Sequence, residues 1–166
     1  MTRLKRCLLA PVVATVCLVA GPAGAEKPAN PLRFFEGRTE STGIVKLIAR
    51  RPFRSHAIGR GEIKADGSLY LEQRVEEDDK PPFMRRWSIR KAGPATYTGT
   101  MTEAKGPVKI DEIGGRFRFR FKMKGGVNVE QWLTPSADWK SGRNTLTIKK
   151  FGLTVGTSEG TIRKLD

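Results

Sequence analysis

The stretch RFRFRFKMK, residues 116–124, alternates cation and hydrophobe through nine positions without a slip. Successive side chains on a strand point to opposite faces. Phe117, Phe119, Phe121 and Met123 therefore share one face, and Arg116, Arg118, Arg120, Lys122 and Lys124 share the other. One face packs in an interior and the other meets water or a ligand; alternation separates the two without labelling them. The cations read first as a solvated face that deters edge pairing. Five aligned cations with no acid between them also form an anion-attracting strip.

Working outward, the chain from Gly43 onward keeps the same grammar of short apolar-alternating runs and turns. Ten candidate strands follow: residues 43–49, 55–64, 68–77, 83–91, 96–104, 108–113, 116–124, 127–134, 144–152 and 154–164. Asp66-Gly67, Gly114-Gly115 and Gly125-Gly126 supply the positive φ that tight hairpins need. No segment sustains a helical apolar stripe. Consecutive hairpins on a chain of this length predict an all-β fold, an antiparallel up-and-down barrel of about ten strands, because closure removes exposed edges. A two-sheet β-sandwich is the alternative. Ahead of the strands, Phe34 and Phe35 are expected to form a short helical turn or plug against the main body.

The first residues address the compartment. Arg3, Lys5 and Arg6 precede the uncharged run from Cys7 to Gly21, and small residues at Ala23 and Ala25 stand ahead of Glu26. This is the layout of a secretory signal cleaved after Ala25. The apolar run is shorter than the roughly 20 residues of a membrane span. Val16 before Cys17 does not suit lipid attachment. We therefore expect a periplasmic or secreted protein that is not a lipoprotein: signal 1–25, linker 26–31 and one barrel domain over 32–166. Both cysteines, Cys7 and Cys17, leave with the signal, so the core must hold the fold without disulfides. The signal also carries three of the 31 Lys and Arg residues and none of the 17 Asp and Glu residues, which leaves a formal charge of +11. Such a surplus favours anions. Outside the cytoplasm these are anionic membrane surfaces and acidic glycans rather than nucleic acid.

Much familiar chemistry lacks its residues. His56 is the one histidine, and no cysteine remains after cleavage, so a His/Cys zinc site lacks ligands. No G-x-S-x-G elbow and no phosphate-binding loop is present, and no cofactor or metal is expected. The acidic run Glu76-Glu77-Asp78-Asp79 lacks the spacing of a calcium loop and reads as a solvated hairpin tip. Glu130, beside Trp132, is the carboxylate best placed for acid–base work if buried.

Several motifs fall together in a recognisable order: NPLRFFEG from Asn30, DGSL at 66–69, RRW at 85–87, EQWL at 130–133 and KFG at 150–152. In these the chain resembles the bacterial family catalogued as domain of unknown function 3833, over roughly Asn30 to Lys164. The resemblance implies an exported or envelope protein of unassigned activity with a lipocalin-like barrel. Relatives tend to read Asp-Asp-Trp-Met where this chain has Glu130, Gln131, Trp132 and Leu133. One of two acids is thus lost, and any mechanism needing an acidic pair is in doubt here.

Three readings follow. The first is a binding module whose barrel holds an apolar or amphipathic, lipid-like small molecule, with Trp87, Phe117, Phe119, Phe121, Glu130 and Trp132 as candidate ligand-binding residues; no catalytic residue is assigned. It requires an apolar cavity of roughly 300 Å³ or more. The second is an envelope-lipid-modifying enzyme using Glu130. The third is a non-enzymatic protein that binds anionic membranes through the strip 116–124. The sequence does not state an oligomeric state.

Overall fold

The computed structural model describes residues 27–78 and 80–166. The signal segment and its cleavage site lie outside the described residues. Within them are a five-residue 3-10 helix, Pro31–Phe35, and ten strands. The strands are β1 (Gly37–Leu47), β2 (Phe53–Ile63), β3 (Leu69–Glu77), β4 (Phe83–Gly93), β5 (Thr96–Met101), β6 (Val108–Ile113), β7 (Arg116–Met123), β8 (Val127–Pro135), β9 (Ser141–Lys150) and β10 (Leu153–Lys164). Each pairs antiparallel with the next, and β10 returns to β1 to close a barrel. Closure settles the choice between barrel and sandwich.

The β1–β10 seam runs from Thr39 opposite Lys164 to Leu47 opposite Gly156. At its centre Gly43 faces Gly160. A methyl group on Gly160 would stand 2.0 Å from the Thr42 carbonyl oxygen and 2.7 Å from Gly43 Cα. The seam therefore closes at this point only with a bare backbone.

The hydrophobic face of β7 points inward, with Phe117, Phe119 and Phe121 all buried. The cations of 116–124 point out. Inward residues on β3, β4, β6 and β8, such as Leu71, Trp87, Ile110 and Leu133, join them in one core. Burying a large apolar side chain contributes roughly 1.5–3 kcal/mol, and this continuous core holds the fold.

The short helical turn expected at Phe34-Phe35 closes one end of the barrel. Asn30 caps it by accepting a hydrogen bond from Leu32 N, and its side-chain amide donates to the Gly67 carbonyl. The C-terminal end of the segment read as a linker is thereby tied to the β2–β3 turn. Leu32 and Phe34 are buried; the Phe34 ring lies 6.4 Å from Trp139, which in turn lies 6.3 Å from Phe117. On the opposite wall Gly61 makes room for the plug, since a Cβ there would meet the Phe35 carbonyl oxygen at 1.9 Å.

Strand β1 starts at Gly37, six residues before the start read from the sequence at Gly43. Its first half, GRTEST, has no apolar side chain to signal a strand. The inward residues there are Thr39 and Ser41; Thr39 is small because the plug and the facing strand leave no space for a larger side chain, and Ser41 borders the hollow part of the barrel. A Cβ on Gly59 would already stand 2.8 Å from Thr39 Oγ1.

Two substitutions check this account. Gly160→Ala is expected to lower stability by about 1–3 kcal/mol, as overpacking does. Phe34→Ala is expected to cost about 3–5 kcal/mol. Both are read from denaturant unfolding. Changes within the roughly 0.5 kcal/mol of ordinary surface substitutions would contradict the roles given to the seam and the plug.

Candidate functional site

Above the plug the barrel is hollow. A cavity of about 720 Å³ runs from Phe35 at the floor to the opposite end, where Leu47, Met123, Val127 and Val155 stand at its mouth. It exists because the two walls are unequal. Trp87, Phe119 and Phe121 project from β4 and β7, with ring centroids 6.3 and 5.9 Å from the Trp87 ring in edge-on contacts. Facing them, β1, β2 and β10 offer Ser41, Gly43, Ser55, Ala57, Ser158 and Gly160. Large side chains on one wall do not reach small ones on the other, and the remainder is empty volume.

The lining is mainly apolar, with a few amides. Gln73 accepts a hydrogen bond from Trp87 Nε1 at 2.8 Å, which fixes the indole. Gln131 Nε2 donates to Asn144 Oδ1, also at 2.8 Å. The second polar atom of each amide has no hydrogen bond to another described residue, so three amides can each serve water or a ligand. Charges in the wall are paired. Arg85 binds Glu103 through Nε and a terminal nitrogen, at 2.8 and 2.7 Å, and Lys80 at the mouth pairs with Glu77. The second oxygen of Glu103 is buried with no hydrogen-bond partner among the described residues. Below the cavity, burial and then the Glu112 carboxylate push the Tyr97 phenol up from its ordinary pKa.

The candidates read from the sequence separate into two groups. Trp87, Phe119 and Phe121 line the cavity. Phe117 lies lower, against Trp139 in the floor. Glu130 and Trp132 are corrected as lumen residues: both face outward from β8, because register sets inward Gln131 against Phe119 and outward Trp132 against Arg118. Trp132 donates from Nε1 to Glu130 Oε1 at 3.0 Å. Its ring carries the guanidinium carbons of Arg116 and Arg118 at 4.3 and 5.7 Å from the centroid. Glu130 thus has no part in the cavity.

The cation strip is divided by its neighbours. Arg118 and Arg120 both reach Asp111 on β6, at 3.2 and 2.8 Å, and Arg116 also bonds Thr134. Lys122 and Lys124 make no ion pair among the described residues and lie toward the mouth. His56 is an outward strand residue, with Nε2 3.0 Å from Glu40. That contact first, and then Arg163, holds the Glu40 carboxyl below the usual carboxylate range.

Gln73, Gln131, Asn144 and the small wall did not stand out in the sequence as site residues. Their one signal was a polar or tiny residue at an inward position of an otherwise apolar alternation, and it becomes visible only once the faces are labelled.

Comparison with known proteins places the fold. The structure is similar to that of the S-type phycobiliprotein lyase CPES from Guillardia theta, with a TM-score of 0.63 and 11% identity over 81% of this chain and 90% of that one. A weaker similarity, with a TM-score of 0.46 and 9% identity, is to EF1p2_mFAP2b bound to DFHBI, covering 81% and 97% of the two chains. The first similarity shows a shared lipocalin-like barrel. No curated protein matches the sequence. The family model described as "Protein of unknown function (DUF3833)" matches residues 19–164, so the chain belongs to that family.

Proposed function

We propose that this protein is a binding module that carries one apolar or amphipathic small molecule of lipid-like character in its barrel, as an exported protein of the cell envelope. The observation that supports the reading is the cavity. Its volume of about 720 Å³ falls within the roughly 300–1,000 Å³ of small-molecule sites. Its walls are aromatic and aliphatic, with a few convergent amides, the composition expected where an apolar body is buried and one or two polar groups are fixed. A wall of serine, glycine and alanine wastes packing unless something else fills the space, because core cavities cost stability.

The paired charges narrow the ligand class. Arg85 and Lys80 already hold Glu103 and Glu77, so no free charge in the wall demands an ionised group deep inside. The amides Gln73, Gln131 and Asn144 suit hydroxyl, ester or amide oxygens along an otherwise apolar molecule. The phycobiliprotein lyase shares the fold at 11% identity; that likeness supports a hollow barrel and leaves the ligand to be argued from this cavity. With Glu130 turned outward, the reading as an envelope-lipid enzyme loses the carboxylate on which it rested.

Filling the cavity tests the proposal. Ser158→Phe places a ring into the empty side of the lumen. It is expected to weaken uptake of an environment-sensitive apolar fluorophore at least about tenfold while leaving the thermal midpoint unchanged or higher, since added apolar surface is buried without a polar loss. Equal uptake by the variant and the parent would remove the lumen as the binding site.

A further inference from the structure

We infer that the mouth of the barrel is a membrane-docking surface, with Phe151 as an apolar wedge and a basic arc around it that receives anionic phospholipid head groups. This goes beyond the ligand reading and stands independently of what the lumen holds.

The argument starts at the β9–β10 turn. Lys150 pairs with Leu153, so Phe151 and Gly152 alone form the hairpin tip. Both have positive φ, 51° and 80°, the geometry of a tight turn whose preferred first residue is Asn, Asp or Gly. A bulky aromatic with positive φ is an outlier, and such outliers gather where function retains them. Phe151 gains little from packing to offset that conformation: it is 89% exposed, with the exposed Lys150 ammonium 5.6 Å from its ring centroid. A strained aromatic held out in water is unexplained by the fold.

It is not isolated. Ile48 and Leu153 are 70% and 71% exposed, whereas the other exposed large hydrophobics of the described residues are at 44% or less. Ile48 N donates to the Val155 carbonyl, which brings the β1–β2 turn beside the β9–β10 hairpin. The three most exposed apolar side chains thus share one side of the cavity mouth.

Charge names the partner. The three neighbouring segments 122–128, 148–155 and 48–52 contain Lys122, Lys124, Lys149, Lys150, Arg50 and Arg51, and no Asp or Glu. All six cations are exposed, and among the described residues none enters an ion pair with an acid. Among the described residues the acids of the mouth stand elsewhere: Glu76, Glu77 and Asp78 at the end of β3 and just after it, and Glu103, already held by Arg85, after β5. At the floor end acids are interspersed with the cations, some in pairs such as Lys64–Glu62 and Arg33–Glu36, and no comparably exposed apolar tip stands there among the described residues. An apolar tip ringed by uncompensated cations matches a bilayer interface, where side chains such as Phe enter the acyl boundary and Lys and Arg meet phosphates. A soluble apolar partner would match the tip but leave the cations unanswered. Docked this way, the cavity opens toward the lipid.

The test is flotation of the protein, purified as the cell accumulates it, with phosphatidylcholine vesicles and with phosphatidylcholine–phosphatidylglycerol vesicles at physiological salt. The expected result is binding to the anionic vesicles and little to the neutral ones. Phe151→Asn, which suits the turn better, should keep or raise the thermal midpoint and weaken binding about tenfold or more. Lys149→Gln with Lys150→Gln should weaken it at least fivefold, and Lys91→Gln at the floor end should leave it unchanged. Ser158→Phe should bind vesicles like the parent, which keeps this proposal separable from ligand binding. Any one of four results would overturn it: no preference for anionic vesicles, undiminished binding by Phe151→Asn, an equal loss in Lys91→Gln, or a Phe151-dependent dimer that does not float.

Discussion

The closure of β10 onto β1 is the constraint from which the rest of the molecule follows. Ten strands in a row leave two edges, and an open edge is an invitation to pair with another chain. Bringing those edges together over nine residue pairs places Gly160 against the Thr42–Gly43 backbone, where no side chain fits. Small residues then continue along β1, β2 and β10, partly for the seam and partly for the plug carried by Phe34. The same substitutions that let the barrel close leave one side of its interior thinly filled. Cavity and closure are thus two consequences of one distribution of residue sizes.

The two ends of the barrel are built for different tasks. The floor is sealed by an aromatic stack of Phe34, Trp139 and Phe117, and acids are interspersed among its surface cations. The mouth has no such seal; Phe151, Ile48 and Leu153 stand in water, and the six cations around them pair with no acid among the described residues. With no cysteine among the described residues, the stability of the barrel rests on the floor and the aromatic wall rather than on the mouth. The apolar guest proposed for the lumen and the lipid contact proposed for the rim are compatible with one another.

Much of the architecture was legible in the sequence. The unbroken alternation of 116–124 and the Gly pairs at 114–115 and 125–126 identified hairpins, and their number pointed to a closed barrel. Polar, small-residue stretches hid what they encode: GRTEST is a strand whose inward Thr39 faces a crowded floor and whose inward Ser41 borders the cavity, which local apolarity does not reveal. The site was legible in part. Alternation grouped Phe119 with Phe121 but left the faces unlabelled, and Trp132 read as a ligand-binding residue of the lumen. Cross-strand register against Arg118 turns it outward, where stacking beneath Arg116 covers its ring. Volume balance between walls is set by residues far apart in the chain, so a cavity has no local signature.

The most direct measurement is native mass spectrometry of the protein after incubation with a total envelope lipid extract, beside Ser158→Phe treated in the same way. The account predicts one bound small molecule per parent chain, released by organic solvent, and a markedly lower occupancy in the variant. A parent chain that emerges at the mass of the polypeptide alone, or a variant that is loaded equally well, would contradict it.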